Sequence, residues 1–115
     1  MLNAIVMASG FSSRMGTNKL LLPYEGKALI EHILDKLPNC GFDRVIIVAQ
    51  DNRIIDMGSI RGMKVVYNFR ASKGQSEAIK LGIENSPEAM GYAFFTGDQP
   101  LMNELTIKYL IECFY

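Results

Sequence analysis

Cysteine is scarce in this chain, charge of either sign is not in excess, and long apolar runs are missing. The only cysteines, Cys40 and Cys113, lie far apart and match no metal-ligand or redox spacing, so reduced thiols in a cytoplasmic protein are expected. Twelve lysines and arginines balance twelve aspartates and glutamates, which removes the electrostatic case for a nucleic acid or an anionic membrane as partner. No apolar stretch approaches the roughly 18 residues of a membrane span, and the N-terminus lacks a charged segment followed by a cleavable hydrophobic one. Repeats, low-complexity tracts and linkers are also lacking. With 49% of its 115 residues apolar, the chain can bury a core as one compact unit.

The apolar residues come in short blocks. Ala4 to Ala8, Val45 to Ala49, Met63 to Tyr67 and Tyr92 to Thr96 are nearly continuous runs, the pattern of strands buried on both faces of a parallel sheet. Leu29, Ile30, Ile33, Leu34 and Leu37 fall on one face of a helix over 28–37, which Pro38-Asn39-Cys40-Gly41 ends. Ala78, Ile79, Gly82 and Ile83 mark another helix before the fourth strand, with Ser72 and Gln75 spaced as a capping box. Asn103 is placed to cap a last helix carrying Ile107, Leu110, Ile111 and Phe114. Strands alternating with helices predict an α/β fold, a three-layer αβα, Rossmann-like arrangement with a mainly parallel sheet and right-handed crossovers. Ligands of such sheets sit outside the carboxyl ends of the strands, where the strand order reverses. The chain stops on apolar residues at helical spacing. The expectation is therefore a single domain over 1–115, truncated at its C-terminus, whose fourth strand offers an edge for self-association.

Three segments at predicted strand ends carry chemistry. After the first strand come Gly10, Ser12, Ser13, Arg14, Gly16 and Lys19. A P-loop needs glycines five apart followed at once by lysine and a hydroxyl residue, and the dinucleotide fingerprint needs a glycine where Ser12 stands, so both are rejected. The physics of a phosphate cradle survives: glycines let backbone N–H groups approach an anion, serines add donors, and Arg14 and Lys19 bring fixed charge. Asp98, in FFTGDQP, follows the fourth strand, where a carboxylate can share Mg²⁺ with substrate phosphates. KGQSEA, Lys73 to Ala78, opens a helix whose N-terminal donors favour polar or anionic groups. Taken singly, each segment also reads as an ordinary loop, turn or cap.

Together they resemble the MobA-like NTP transferases, the molybdenum cofactor cytidylyl- and guanylyltransferases. The likeness rests on ASGFSSRMGTNKLLLPYEGKALIEHIL, supported by GQSEAIKLGI and GDQPLM in the family's order. It covers essentially the whole chain, as the family's N-terminal, nucleotide-binding part. The resemblance implies a sheet of the nucleotide-diphospho-sugar transferase type. It also implies transfer of a nucleoside monophosphate from an NTP to a phosphorylated acceptor such as molybdopterin, with release of pyrophosphate. By position, Arg14 and Lys19 would hold the triphosphate, and Ala8, Ser9, Gly10, Ser12 and Ser13 would lie along the nucleotide. Gln75 and Ser76 would lie near the base or ribose, and Asp98 would bind Mg²⁺. Arg14, Lys19 and Asp98 are the implied catalytic groups. An acceptor that already carries a nucleophilic phosphate needs little acid or base catalysis, so positioning and charge neutralisation dominate, and His32 is a bystander. Ser9 stands where the guanylyl branch has glycine and the cytidylyl branch alanine, which favours CTP over GTP. The alternatives are a sugar- or alditol-phosphate nucleotidyltransferase and a non-catalytic nucleotide-binding fragment.

Overall fold

A strand with apolar side chains on both faces has to lie between two layers, and Leu2–Ala8 does so. The computed structural model describes residues 2–8, 19–68, 75–86, 89–97, 107–109 and 111–112, with Lys19 and residues 75–78 described in their main chain only. In chain order the elements are β1 (Leu2–Ala8), a short 3₁₀ turn (Lys19–Leu21), β2 (Pro23–Tyr24), β3 (Lys27–Ala28), α1 (Leu29–Lys36), a second 3₁₀ turn (Leu37–Asn39), β4 (Arg44–Ala49), α2 (Asn52–Ile60), β5 (Lys64–Tyr67), α3 (Gln75–Glu84) and β6 (Gly91–Thr96). Residues 107–109 and 111–112 are also helical. The main sheet has the order β5-β4-β1-β6 with every pairing parallel. This is the α/β architecture that the alternating pattern predicts.

The period of two along each strand sorts the core into two layers. Ala4, Val6 and Ala8 of β1 join Ile47 and Ala49 of β4 and Phe95 of β6 against Ile30, Ile33 and Leu34 of α1 and Ile54 of α2. The buried Ile107 and Ile111 belong to the same layer. Ile5, Ile46 and Val48 point the other way, onto Leu81 of α3. The two neighbouring registers, Ala8 opposite Ala49 and Met7 opposite Thr96, bring the strand ends level.

Three features depart from the sequence pattern. Residues 52–60 form a helix that apolar spacing does not announce, because its buried side is only Ile54 and Gly58. Gly58 is there for close approach: a Cβ at this position would collide with Ile47 Cδ1. Asp51 starts the helix by accepting the Arg53 N–H at 2.9 Å. Among residues 79–84 of α3 the buried ones are Leu81 and Gly82, whereas Ile83, expected inside, is 37% exposed. The helix lies close enough for Gly82 to meet Ile5, and this contact turns Ile83 outward. Finally, β2 and β3 form an antiparallel hairpin whose turn residues have φ of +46° at Glu25 and +91° at Gly26. Positive φ at both central positions is the type I′ geometry that matches strand twist. Ser72, Asn103, Leu110, Phe114 and Cys113 lie outside the described residues, whereas the buried Cys40 thiol donates to the Lys36 carbonyl at 3.1 Å. Among the described residues no helix is long and apolar enough to cross a membrane.

Candidate functional site

Parallel strands all end on one edge, and here that edge gathers the segments with chemical content. β1 connects through α1 to β4 on one side, whereas β6 lies on its other side, so the order reverses between β1 and β6. In open α/β sheets that crevice is where ligands sit. Ala8, 1% exposed, is the last residue of β1, and Gly97 follows β6 directly. Among the predicted site residues, Ser9, Gly10, Ser12, Ser13, Arg14 and Asp98 lie outside the described residues.

Lys19 begins the first 3₁₀ turn, and its neighbour Leu20 is buried. A Cβ placed on Gly97 would stand 3.0 Å from Leu20 Cδ1 and 3.1 Å from Ile30 Cδ1. The residue after Lys19 thus packs against the residue before Asp98. Two segments singled out separately along the sequence are joined in space by that contact.

Gln75 and Ser76 form the first turn of α3. The direction of this helix is fixed at its far end, where Lys64 Nζ at the start of β5 donates to the Asn85 carbonyl at 2.5 Å. Tyr92 Oη near the start of β6 donates to the Ser86 carbonyl. With its C-terminus held at the beginning of the strands, α3 runs back along the sheet, and its main chain at residues 75 and 76 lies toward their carboxyl ends.

Two further residues on this edge escape a motif-based reading. Asn68 is fully buried after β5, and its N–H extends the ladder to the Ala49 carbonyl at 2.8 Å. Gln50 follows β4, and its Oε1 is buried without a hydrogen-bond partner among the described residues. The available signal is the one used for Asp98: a polar residue immediately after a buried apolar strand.

The charged network with resolved geometry is elsewhere. Arg61 donates from Nε to Asp35 at 2.7 Å, from Nη2 to Glu31 at 2.8 Å and from Nη1 to the Met57 carbonyl at 3.0 Å. Lys27 reaches the other oxygen of Asp35 at 2.7 Å, and Glu31 accepts the Ala28 N–H at 3.1 Å. The Arg61 hydrogen bond, with that of Ala28, holds Glu31 below the usual carboxylate range. Burial pushes Asp35 up, but hydrogen bonds from Arg61 and Lys27 outweigh it and leave the group low. A groove of about 430 Å³, lined by Phe42, Arg44, Arg61 and Lys64 among others, lies beside this network at the opening ends of β4 and β5. Three of the five N–H groups of Arg61 are taken there by Asp35, Glu31 and the Met57 carbonyl. His32 is engaged through Nε2 by the Tyr24 carbonyl. Among the described residues no cluster of three His, Cys, Asp or Glu side chains could hold a metal ion.

Comparison with known proteins places this geometry. The chain is 29% identical over 114 residues to the bifunctional protein GlmU of Staphylococcus haemolyticus, covering 96% of this chain and 25% of that protein. It is 29% identical over 112 residues to a probable molybdenum cofactor guanylyltransferase of Natranaerobius thermophilus, covering 96% of this chain and 53% of the relative. The crystal structure of Rv0371c from Mycobacterium tuberculosis superposes with a TM-score of 0.81 at 27% identity, over 96% of this chain and 58% of that one. A manganese complex of Rv0371c shares the fold with a TM-score of 0.67 at 22% identity. The chain therefore spans between about a quarter and somewhat over half of the proteins it matches. Residues 4–115 match the MobA-like NTP transferase domain, and the chain belongs to that family.

Proposed function

We propose that this chain binds an NTP across the carboxyl edge of its sheet and serves transfer of a nucleoside monophosphate to a phosphorylated small-molecule acceptor, with pyrophosphate as the leaving group. The observation that supports the reading is the seat of Leu20 on Gly97, the residues that adjoin Lys19 and Asp98 in the chain. In this reading Arg14 and Lys19 hold the triphosphate by fixed charge. The backbone of Ala8, Ser9 and Gly10, with Ser12 and Ser13, lies along the nucleotide, while Gln75 and Ser76 face its base or ribose.

Asp98 is the residue to hold Mg²⁺, which when bound neutralises phosphate charge. A lone carboxylate suits this ion, which keeps waters and substrate phosphates as its other ligands. CTP is favoured over GTP because Ser9 is nearer in size to alanine than to glycine, and a molybdopterin-type phosphate is the favoured acceptor. Reduced cysteines suit the cytoplasm, and the β6 edge is the surface where a second chain would add.

Titration of CTP and GTP, with and without Mg²⁺, into Lys19→Ala, Arg14→Ala and Asp98→Asn variants tests the assignment. The first two are expected to bind about tenfold or more weakly, the scale of one charge-assisted hydrogen bond. Asp98→Asn is expected to lose the Mg²⁺ enhancement while keeping its metal-free affinity. Unchanged titrations for all three variants overturn the assignment. A panel of molybdopterin, sugar phosphates and alditol phosphates then separates the acceptor classes.

A further inference from the structure

We infer that the groove at the opening ends of β4 and β5 is a second small-molecule site, one that takes a singly charged carboxylate on an apolar or aromatic body. It lies at the end of the sheet opposite the nucleotide edge and stands apart from the reading under Proposed function. The groove offers about 430 Å³, within the roughly 300–1,000 Å³ of small-molecule sites. Two connections form its walls: residues 38–45, which lead into β4, and residues 61–64, which lead from α2 into β5.

The second connection is fixed by its own hydrogen bonds. With Gly62 at a φ of +74°, the Gly62 N–H reaches the Ser59 carbonyl at 3.1 Å and the Met63 N–H the Gly58 carbonyl at 3.0 Å, the paired closure of a Schellman motif. Arg61 and Lys64 are thereby set on either side of one tight turn. Each is also anchored by its side chain. Arg61 gives one N–H from each guanidinium nitrogen to Asp35, Glu31 and the Met57 carbonyl, which leaves one donor on Nη1 and one on Nη2. Lys64 gives one of its three to the Asn85 carbonyl. Cations already held in place lose little conformational freedom on meeting a ligand.

Charge and floor define the ligand. Arg44, Arg61 and Lys64 line the groove against a single acid, Asp43, whose Oδ2 already accepts the Leu2 N–H at 2.7 Å. Behind Arg61 stand Glu31, Asp35 and Lys27, so four cations meet three carboxylates and one positive charge is left over. A monoanion balances it, and the two terminal donors of Arg61 suit a carboxylate, which accepts from neighbouring nitrogens. The apolar part of the lining includes Phe42, Val45 and Met63, all packed against the main core. Phe42 meets Phe95 edge to face, with ring centroids 5.8 Å apart. An apolar body on the ligand finds a firm floor there, and its burial adds to the charge contact.

The test is a titration of the isotope-labelled chain with phenylacetate, followed by amide chemical shifts, with phenylacetamide as the uncharged analogue. The carboxylate is expected to shift the amides of Phe42, Gly62 and Met63 with a dissociation constant of about a millimolar, the scale of a ligand of about ten heavy atoms. The amide is expected to bind about threefold or more weakly, and Lys64→Gln to weaken the carboxylate by about as much. Arg61→Lys, which keeps the charge and loses the fork of donors, is expected to weaken it further. Lys108→Gln removes an exposed cation outside the groove and is expected to bind as the wild type does. Should Arg61→Lys fail to fold, Lys64→Gln, at an exposed position, decides. Equal affinity for carboxylate and amide, or wild-type affinity in Lys64→Gln, overturns the site. Shifts confined to Ala8 and Gly97 at the carboxyl edge overturn it too, as does the absence of any shift at several times the expected dissociation constant.

Discussion

Gly82 of α3 lies directly over Ile5 of β1: a Cβ at Gly82 would stand 2.7 Å from Ile5 Cγ2 and 2.8 Å from Cδ1. Glycine inside a helix ordinarily costs about 1 kcal/mol relative to alanine, so propensity alone favours Gly82→Ala. Overpacking in a tight core costs about 1–3 kcal/mol, and here it outweighs propensity. Gly82→Ala is expected to lower the urea midpoint of unfolding. Ile5→Val in the same background, which removes Cδ1, is expected to restore part of the loss. A stabilised Gly82→Ala variant would contradict this packing of α3.

The network around Arg61 ties α1 to the end of α2 and, through Lys27, to the β2–β3 hairpin. Its side chains are partly exposed, so Arg61→Ala is expected to cost only about 1–2 kcal/mol at neutral pH. Glu31 and Asp35 both titrate lower in the folded chain than in the unfolded one. Their contribution is thus complete above the unfolded carboxylate values, about pH 4 to 4.5, and is lost as pH falls through the folded ones. Unfolding curves between pH 3 and 7 should show wild type and Arg61→Ala well separated at neutrality and converging in acid. A gap that stays constant would contradict the linkage.

The hairpin turn holds Glu25 at a φ of +46°, a conformation that asparagine and glycine tolerate better than glutamate. Glu25→Asn is expected to raise stability by roughly 0.5–1 kcal/mol. Gly26, with φ at +91°, should lose about as much on replacement by alanine. Thermal unfolding of both variants checks the opposite signs.

Strands β1 and β4 were legible because a strand buried on both faces has to be written as a continuous apolar run, as Val45 to Ala49 is; the runs of β5 and β6 were read the same way, although Tyr67 and Phe94 are 51% and 40% exposed there. Helix α1 was legible because one layer covers one face, leaving Ile30, Ile33 and Leu34 in register. Helix α2 was not, since it meets the sheet through the missing side chain of Gly58, and hydrophobic periodicity cannot register a contact made by an absent group. The two-residue strands of the hairpin are too short to show alternation. For the site, chain order indicated which residues follow strands, as with Ala8 and the Lys19 segment. That Leu20 and Gly97 bring two of those segments together is a tertiary contact 77 positions apart, from 97 − 20, and no local pattern encodes it. Gln50 and Asn68 were passed over because a single polar residue after a strand is also an ordinary loop start.

The central claim is that the carboxyl edge of this sheet holds an NTP, and thermal unfolding with CTP, GTP, ATP and UTP, each with and without Mg²⁺, tests it most directly. A ligand at about 100 times its dissociation constant adds roughly 2.7 kcal/mol, enough to raise the midpoint of a domain of this size by several degrees. The expected result is a Mg²⁺-dependent rise, largest with CTP. An unchanged midpoint with all four nucleotides at millimolar concentration would contradict it.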